Sequence, residues 1–378
     1  MSKFKNIKWK HYLNYIVIAV CTVFFASMSL AGQLKPSTLR MLEQIPMAII
    51  LAVSLSMVVG FLGELSLGHA GFMCVGAYIG GKTALLLSDI IDNELLVLII
   101  AVVIGGAAAA VCGVVIGLPA LRLRGDYLAI VTLAFGEIVR SLFMNSSDES
   151  FGGSLGLSTS SIRYDKNTLF IIALVLVLVC LAVTQNLIRS KHGRAITSIR
   201  DNEIAAKATG INVTKYKLSV FTISSLFAGV AGVLYSFSNS LIKADKFDYN
   251  YSIEILVIVV LGGMGNINGS IIAATLITFI NEKLQTSLTG DNAVYKDLVY
   301  ALILIVIVVY NNAPALKNFR EKYNFKNIVA DFKNKKRDPS KDYGDEHKWD
   351  RVPTKIDVDE VVSTNVAASK VTEESEGE

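Results

Sequence analysis

Charged side chains are scarce in this chain of 378 residues. Asp, Glu, Lys and Arg make up 18% of the sequence, and 52% of the residues are hydrophobic. Water-soluble domains carry roughly 25% charged residues. Because the deficit is concentrated in long apolar runs, the composition argues against a water-soluble protein. It predicts an all-α integral membrane protein, since helices satisfy their own backbone polar groups within a bilayer.

Cysteine is also rare, and its placement excludes two classes of site. All four cysteines fall inside apolar runs, and none forms a CxxC pair: Cys21, Cys74, Cys112 and Cys180. Paired spacing is typical of disulfide frameworks and zinc sites. The sequence therefore predicts neither, and it assigns no metal ligands to this chain.

One apparent nucleotide motif is better explained as part of a helix. Residues 76–83 read Gly-Ala-Tyr-Ile-Gly-Gly-Lys-Thr, which satisfies the phosphate-loop pattern G-x4-G-K-[ST]. That pattern works as a loop between a strand and a helix, whereas here it ends an apolar helical run. Lys82 is interpreted as a lysine reaching the membrane surface. We therefore assign no catalytic residue and no cofactor.

Apolar runs predict a polytopic bundle of about eight to ten spans. Residues 12–30 are read as an uncleaved first span, although a cleaved signal peptide is the alternative. The run 253–280 is split by a glycine-rich stretch at 261–269, which predicts a re-entrant or broken element, with two tilted full crossings as the alternative. The other runs are 45–62, 72–87, 95–118, 127–143, 169–187, 218–237 and 298–310.

Positive charge predicts the orientation. The first ten residues carry four lysines and no acid, and the loop 188–217 is rich in Lys and Arg. Such segments face the cytoplasm. Both termini are therefore predicted to lie on the cytoplasmic side of a bacterial plasma membrane. Residues 1–315 are predicted to form the transmembrane domain. Residues 316–378 are expected to be a charged, largely disordered cytoplasmic tail.

Two polar, glycine-rich interruptions lie in opposite halves of the membrane region. Paired breaks of this kind predict an internal repeat and a transport pathway. Close helix packing through small residues, as at Gly113 and Gly117, is the alternative explanation. The residues assigned to the pathway are Ser66, Gly68, His69, Gly71, Gly263, Gly265 and Asn266.

Ionisable residues inside the spans leave a second class of transporter open. Glu137 and Arg140 have helical-neighbour spacing, which favours a structural ion pair near the outer end. Glu64, His69 and Glu137 together could instead form the proton relay of an ion-coupled secondary transporter.

The cytoplasmic loop contains a predicted short helix that suits docking on a soluble partner. Asp201 is expected to cap its start, Glu203 favours the first turn, and Gly210 is placed to end it. A face of small residues would be supplied by Ala205, Ala206 and Ala208.

The Glu203, Ala206 and Gly210 spacing resembles the E-A-A-x-x-x-G loop of ABC importer permeases. Other stretches resemble one branch, the LivM-type permease subunits for branched-chain amino acids. They are Leu65-Ser66-Leu67-Gly68-His69-Ala70, the run 118–127 and Gly262-Gly263-Met264-Gly265. The resemblance implies a heterodimer with a homologous permease, two ATPase subunits that bind the ATP, and an external substrate-binding protein. It further implies that Asp201, Glu203, Ala205, Ala206 and Gly210 couple to the ATPases.

Departures from that family pattern leave the substrate open. Glu64 stands where glutamine is common, Leu155 replaces a polar residue, and Ser270 stands where proline is usual. The expected solutes are Leu, Ile and Val, with urea or short amides as the alternative for a related ABC permease.

Overall fold

The computed structural model describes residues 36–287, except 122, 124 and 163, together with 298–302, 305 and 309. All of these belong to one unit, Met1–Val309. The predicted first span 12–30 and the predicted tail 316–378 lie outside the described residues. Six of the thirteen residues of the predicted last span, 298–310, do as well.

The described part of the chain is built from helices, numbered here in chain order. Their bounds are α1 Pro36–Ser56, α2 His69–Ser88, α3 Glu94–Ala120, α4 Asp126–Met144, α5 Asp148–Phe151, α6 Lys166–Arg189, α7 Lys191–Asp201, α8 Glu203–Ala208, α9 Val213–Ser238, α10 Tyr249–Gly262 and α11 Ile267–Ser287. A π-helical segment, Met57–Leu62, continues α1.

Six of the described helices are long and apolar enough to cross a bilayer, which needs about 20 residues. They are Thr38–Leu62, His69–Ser88, Glu94–Ala120, Asp126–Met144, Thr168–Arg189 and Val213–Ser238. Each contains one of the predicted apolar runs or most of it, so the helical polytopic class is confirmed. The total of eight to ten spans, the internal repeat and the re-entrant element stay predictions.

Helix α9 forms the centre of the described bundle. It packs against α2 and α3, and its residues Ala228, Ala231, Val233 and Leu234 are completely or almost completely buried. Small residues on neighbouring helices allow this close approach. A Cβ atom built on Gly113 of α3 would lie 2.8 Å from Ser225 Cβ of α9.

Helices end at both glycine-rich interruptions, as the sequence predicts. The π-helical segment ends at Gly63, whose φ of 81° lies in the left-handed region that favours glycine. Helix α2 then begins at His69. In the second half, α10 ends at Gly262 and α11 begins at Ile267. The helical structure is therefore interrupted at both positions.

One feature departs from a purely helical fold. Leu157–Ser158 (β1) and Leu241–Ile242 (β2) form a two-residue antiparallel pair, with Leu157 opposite Ile242. Beside it, Thr159 donates from its backbone N–H to the Ser240 carbonyl at 2.9 Å. The Thr159 hydroxyl donates to the Asn239 carbonyl at 2.6 Å. Hydropathy gave no indication of this pairing because each strand has only two residues.

Candidate functional site

The two helix breaks meet at Gly60 and Gly265. A Cβ atom on Gly60 would lie 2.8 Å from Gly265 Cα, so Gly60 has no room for a side chain on that side. Gly265 also has a φ of 80°, which L side chains rarely adopt. Backbone therefore packs directly on backbone where the two halves of the chain touch.

Arg200, the penultimate residue of α7, reaches this contact from the loop. Its Nη1 donates to the Gly60 carbonyl at 3.1 Å. Its Nε and Nη2 donate to Asp201 Oδ1 at 3.1 Å and 2.9 Å. A Cβ atom on Gly63 would lie 2.6 Å from Arg200 Cγ, so Gly63 leaves the room that this side chain occupies. The loop and the first break are thus joined by direct contact.

A buried lysine makes a second connection between the loop and the first break. Lys217, in the first turns of α9, donates to Glu64 Oε1 in a short ion pair and to Glu203 Oε2 at 3.1 Å. The side chains of Lys217, Glu64 and Glu203 are 3%, 12% and 31% exposed. Pairing offsets the cost of removing the ammonium from water. We call these three residues the Lys217 bridge.

The predicted short helix is present as α8, with one correction. Asp201 is the last residue of α7 and does not cap α8. The cap is Asn202, whose side chain accepts a hydrogen bond from the Ala205 N–H at 3.0 Å. Asp201 instead binds Arg200. Asp201 and Asn202 are both residues that could cap the helix that begins at Glu203. Because Asp201 binds Arg200, Asn202 is the residue that caps it.

The end of α8 matches its prediction, whereas the three alanines predicted to form one face are divided between buried Ala206 and exposed Ala205 and Ala208. The exposed side also holds a residue that sequence reasoning missed. Gly210 follows the helix with a left-handed φ of 85°, as expected for a helix end. The missed residue is Ile204, which is 73% exposed. An isoleucine in a short polar loop was the available indication.

Four of the predicted pathway residues lie in tightly packed interior. Ser66 and His69 are each 1% exposed. His69 Nε2 lies 3.0 Å from Ser224 Oγ, while its Nδ1 and the Ser66 hydroxyl have no hydrogen-bond partner among the described residues. A Cβ atom on Gly68 would meet Thr132 of α4, and one on Gly71 would meet Gly136 of the same helix.

The other three pathway residues lie in the second break, at the end of the bundle that carries α7 and α8. Gly263 has a φ of 89°, and its carbonyl accepts a hydrogen bond from the Asn266 N–H at 3.0 Å. Gly265 and Asn266 line a cavity of about 170 Å³ with Gln185 and Arg189. The structure thus separates the seven residues into two groups, and their role in a pathway stays a prediction.

The other ionisable residues singled out in the sequence occupy separate places. Arg140 Nε binds Glu137 Oε2 at 2.8 Å, so the predicted ion pair is present. Glu137 Oε1 also accepts the Tyr249 N–H at 3.1 Å. Glu64 binds Lys217 instead. The phosphate-loop pattern at 76–83 lies wholly within α2, so its backbone N–H groups serve the helix.

A larger cavity, which sequence reasoning did not find, opens at the opposite end of the bundle. Its volume is about 680 Å³. Its walls come mainly from α1, α10 and α11, and from the end of α9 around Ser238. Three glutamates on three of these helices line it: Glu43, Glu254 and Glu282. None of the seven predicted pathway residues lines it. Each glutamate interrupts an apolar segment, which was the available indication.

Comparison with known proteins identifies the family. Residues 37–308 match the family described as the permease component of branched-chain amino acid transport systems. The chain belongs to this permease family. It is 33% identical to the high-affinity branched-chain amino acid transport system permease protein LivM of Salmonella typhimurium, over 86% of this chain and 79% of that protein. Identity and coverage are the same for LivM of Escherichia coli K12.

More distant relatives share parts of this permease. A probable LivM of Methanocaldococcus jannaschii is 27% identical over 65% of the chain and 80% of that protein. The ribose import permease protein RbsC of Escherichia coli K12 is 30% identical over 36% of the chain and 43% of that protein. No solved structure gives a significant match.

Proposed function

We propose that this chain is a membrane-spanning subunit of an ABC importer that moves branched-chain amino acids inward. A homologous permease would complete the pathway, two separate ATPase subunits would bind ATP, and an external binding protein would deliver the solute. The family match over residues 37–308 and the six long apolar helices support this assignment. Both termini would then lie in the cytoplasm of a bacterial cell.

The Lys217 bridge is the observation that carries the mechanism. Helix α8 presents Ile204 outward, and its first residue, Glu203, binds the Lys217 ammonium. The same ammonium binds Glu64, which belongs to the first helix break. A displacement of α8 would therefore be transmitted to the first helix break through the two ion pairs of Lys217.

The Arg200 contact gives the same push a second route. Arg200 lies one turn before α8, and it holds the Gly60 carbonyl where Gly60 packs on Gly265. A loop displaced by ATPase closure would move this guanidinium and so disturb the contact between the two breaks. In this mechanism Glu203, Ala205, Ala206 and Gly210 shape the docking helix, and Asp201 holds Arg200.

Directional transport requires that the ATPases favour one arrangement of the spans. A partner with equal affinity for two states shifts nothing. Moving a population from 1:99 to 99:1 requires about 5.5 kcal/mol of differential binding. Closure of two ATPases on α8 and on its counterpart in the companion permease would supply that difference. This chain would transmit the movement and would itself make or break no covalent bond.

Reconstitution in proteoliposomes tests the proposal. We would assemble this chain with its companion permease, the ATPases and the binding protein, and then measure radiolabelled leucine uptake. The expected result is uptake that requires internal ATP and is lost when the ATPases or the binding protein is omitted. Uptake by this chain alone under a proton or sodium gradient would contradict the proposal and favour a secondary transporter. Uptake of urea but not leucine would contradict the substrate assignment.

A further inference from the structure

The 680 Å³ cavity lies far from the Lys217 bridge along the same helix. Helix α9 starts beside α8 and ends at Ser238, which lines the cavity. Ser238 lies 21 positions after Lys217 in this helix, so the two are about 32 Å apart at 1.5 Å per residue, roughly the thickness of a bilayer core. The cavity therefore opens at the membrane face opposite the ATPase-docking helix. Its size falls in the range typical of small-molecule sites.

Buried carboxylates form one side of this cavity. Glu43 and Glu282 are 2% and 7% exposed. Glu43 accepts a hydrogen bond from the Ser238 hydroxyl at 2.8 Å. Glu254 accepts one from the Tyr300 hydroxyl at 2.8 Å. Carboxylates at this depth are costly unless something positive offsets them.

Glu282 differs from the other two glutamates because none of the described residues pairs with its carboxylate. Within the described part of the chain, no residue gives its side chain a hydrogen bond or an ion pair, and only its backbone carbonyl accepts one, from Thr286. It is nevertheless more than nine-tenths buried and lines the cavity. An acid in this position is available to bind a cation or a hydrogen-bond donor in the cavity.

We propose that this cavity binds a zwitterionic amino acid during transport, with the solute's ammonium group held by Glu282. Glu254 and Glu43 add negative potential nearby. This inference rests on the proposed function and adds a solute-binding site within the permease itself.

Basic residues on the cavity wall suit the other end of such a solute. Arg40, Lys243 and Lys246 line the same cavity and are exposed to it or to solvent. A carboxylate group would bind guanidinium or ammonium groups here. A site for a simple amine would not need these cations, and a site for a simple anion would not contain three glutamates, two of them buried. Both charge types in one cavity fit a zwitterion.

Part of the cavity wall is apolar and fits the side chain of a branched amino acid. It is formed by Met47, Leu51, Met73 and Ile258, which are all buried at 5% exposure or less. Transfer of an aliphatic side chain from water onto such a wall is favourable. Charged groups and an apolar wall in the same cavity would together orient the solute.

Equilibrium binding to the purified complex tests this site directly. We would bind radiolabelled leucine to the complete transporter in nanodiscs, without ATP and without the binding protein. Glu282→Gln keeps the size of the side chain but removes its charge, and Glu149→Gln removes an exposed carboxylate outside the cavity as a matched control. Co-purification of the ATPases would establish that both variants assemble.

The expected result is a Kd for leucine at least about tenfold higher for Glu282→Gln, and unchanged for Glu149→Gln. Competition adds an independent readout. We expect 3-methylbutylamine and 4-methylpentanoate, which each lack one charge, to bind the unaltered complex at least tenfold more weakly than leucine. The Glu282→Gln variant should lose preference for leucine over 4-methylpentanoate, because only the ammonium contact is removed.

The outcomes separate the site from the function on which it rests. If the unaltered complex imports leucine with ATP but Glu282→Gln binds leucine as tightly, the cavity proposal is overturned and the importer assignment stands. Equal loss of affinity for leucine and for 4-methylpentanoate would also overturn it, because it would indicate general damage. If the unaltered complex imports no leucine, both proposals fail.

Discussion

Replacing Lys217 by methionine gives the sharpest test of the Lys217 bridge. Methionine keeps most of the volume of the buried stem but removes the ammonium group. Glu64 then keeps a carboxylate that is 12% exposed with its cation gone, and Glu203 loses its partner while remaining 31% exposed. The variant therefore leaves one buried carboxylate and one partly solvated carboxylate uncompensated.

The magnitude follows from how deeply each group is buried. Breaking a buried ion pair from one side costs about 3–5 kcal/mol, while a half-exposed carboxylate adds no more than about 1 kcal/mol. We expect Lys217→Met to destabilise the protein by about 3 kcal/mol, near the lower limit, since Glu64 lies close to the loop and can gain some water. Glu64→Gln added to Lys217→Met removes the stranded charge and should recover most of that loss.

The assay compares unfolding temperatures of the purified complex at one heating rate, because membrane complexes often unfold irreversibly. A loss of 3 kcal/mol corresponds to roughly 6–12 °C if the 2–4 °C per kcal/mol of medium-sized domains applies. Leucine transported per ATP hydrolysed should fall as well. Lys215→Met, which removes an exposed lysine from the same helix, is the control and should change neither. Unchanged stability and coupling in Lys217→Met would refute the reasoning.

Three further changes test other contacts. Gly60→Val places a side chain where Gly265 backbone lies, so stability should fall by about 1–3 kcal/mol, and an unchanged melting temperature would contradict the contact between the breaks. Ile204→Asp should leave stability within about 0.5 kcal/mol but reduce co-purification of the ATPases, while Ile204→Leu should retain it; equal recovery would argue against docking through α8. Ser224→Ala removes the partner of His69 Nε2 and of the Ser54 carbonyl and should cost about 1–3 kcal/mol by thermal unfolding; a loss below about 0.5 kcal/mol would argue against these contacts.

The helical framework could be predicted from sequence because it depends on local patterns. Apolar length located the six long helices, and clustered glycines located both breaks near Gly63 and Gly265. Charge spacing identified the Glu137–Arg140 pair, since both residues lie on one helix. The boundary of α8 was misplaced by one residue, because Asp201 and Asn202 are both good caps and only the tertiary contact of Arg200 distinguishes them.

Contacts between distant segments could not be predicted in the same way. Glu64 was noted as an unusual residue, but its partner Lys217 lies 153 positions later. The cavity was missed because Glu43, Glu254 and Glu282 are single acids far apart in the chain, and their convergence depends on how α1, α10 and α11 pack. Clustered glycines are visible in the sequence as a local pattern, whereas an isolated acid in an apolar helix is not. Burying such an acid nevertheless costs more free energy than burying a glycine.

The short β1–β2 pair has a mechanical consequence for the cavity mouth. It holds the connection before α6 against the connection after α9, and the two Thr159 hydrogen bonds strengthen this contact. Lys243 immediately follows β2 and lines the cavity. Moving the connection after α9 alone to widen the entrance would break the hydrogen bonds between β1 and β2 and those of Thr159. Any movement that opens the cavity at this face therefore has to displace both connections as one unit.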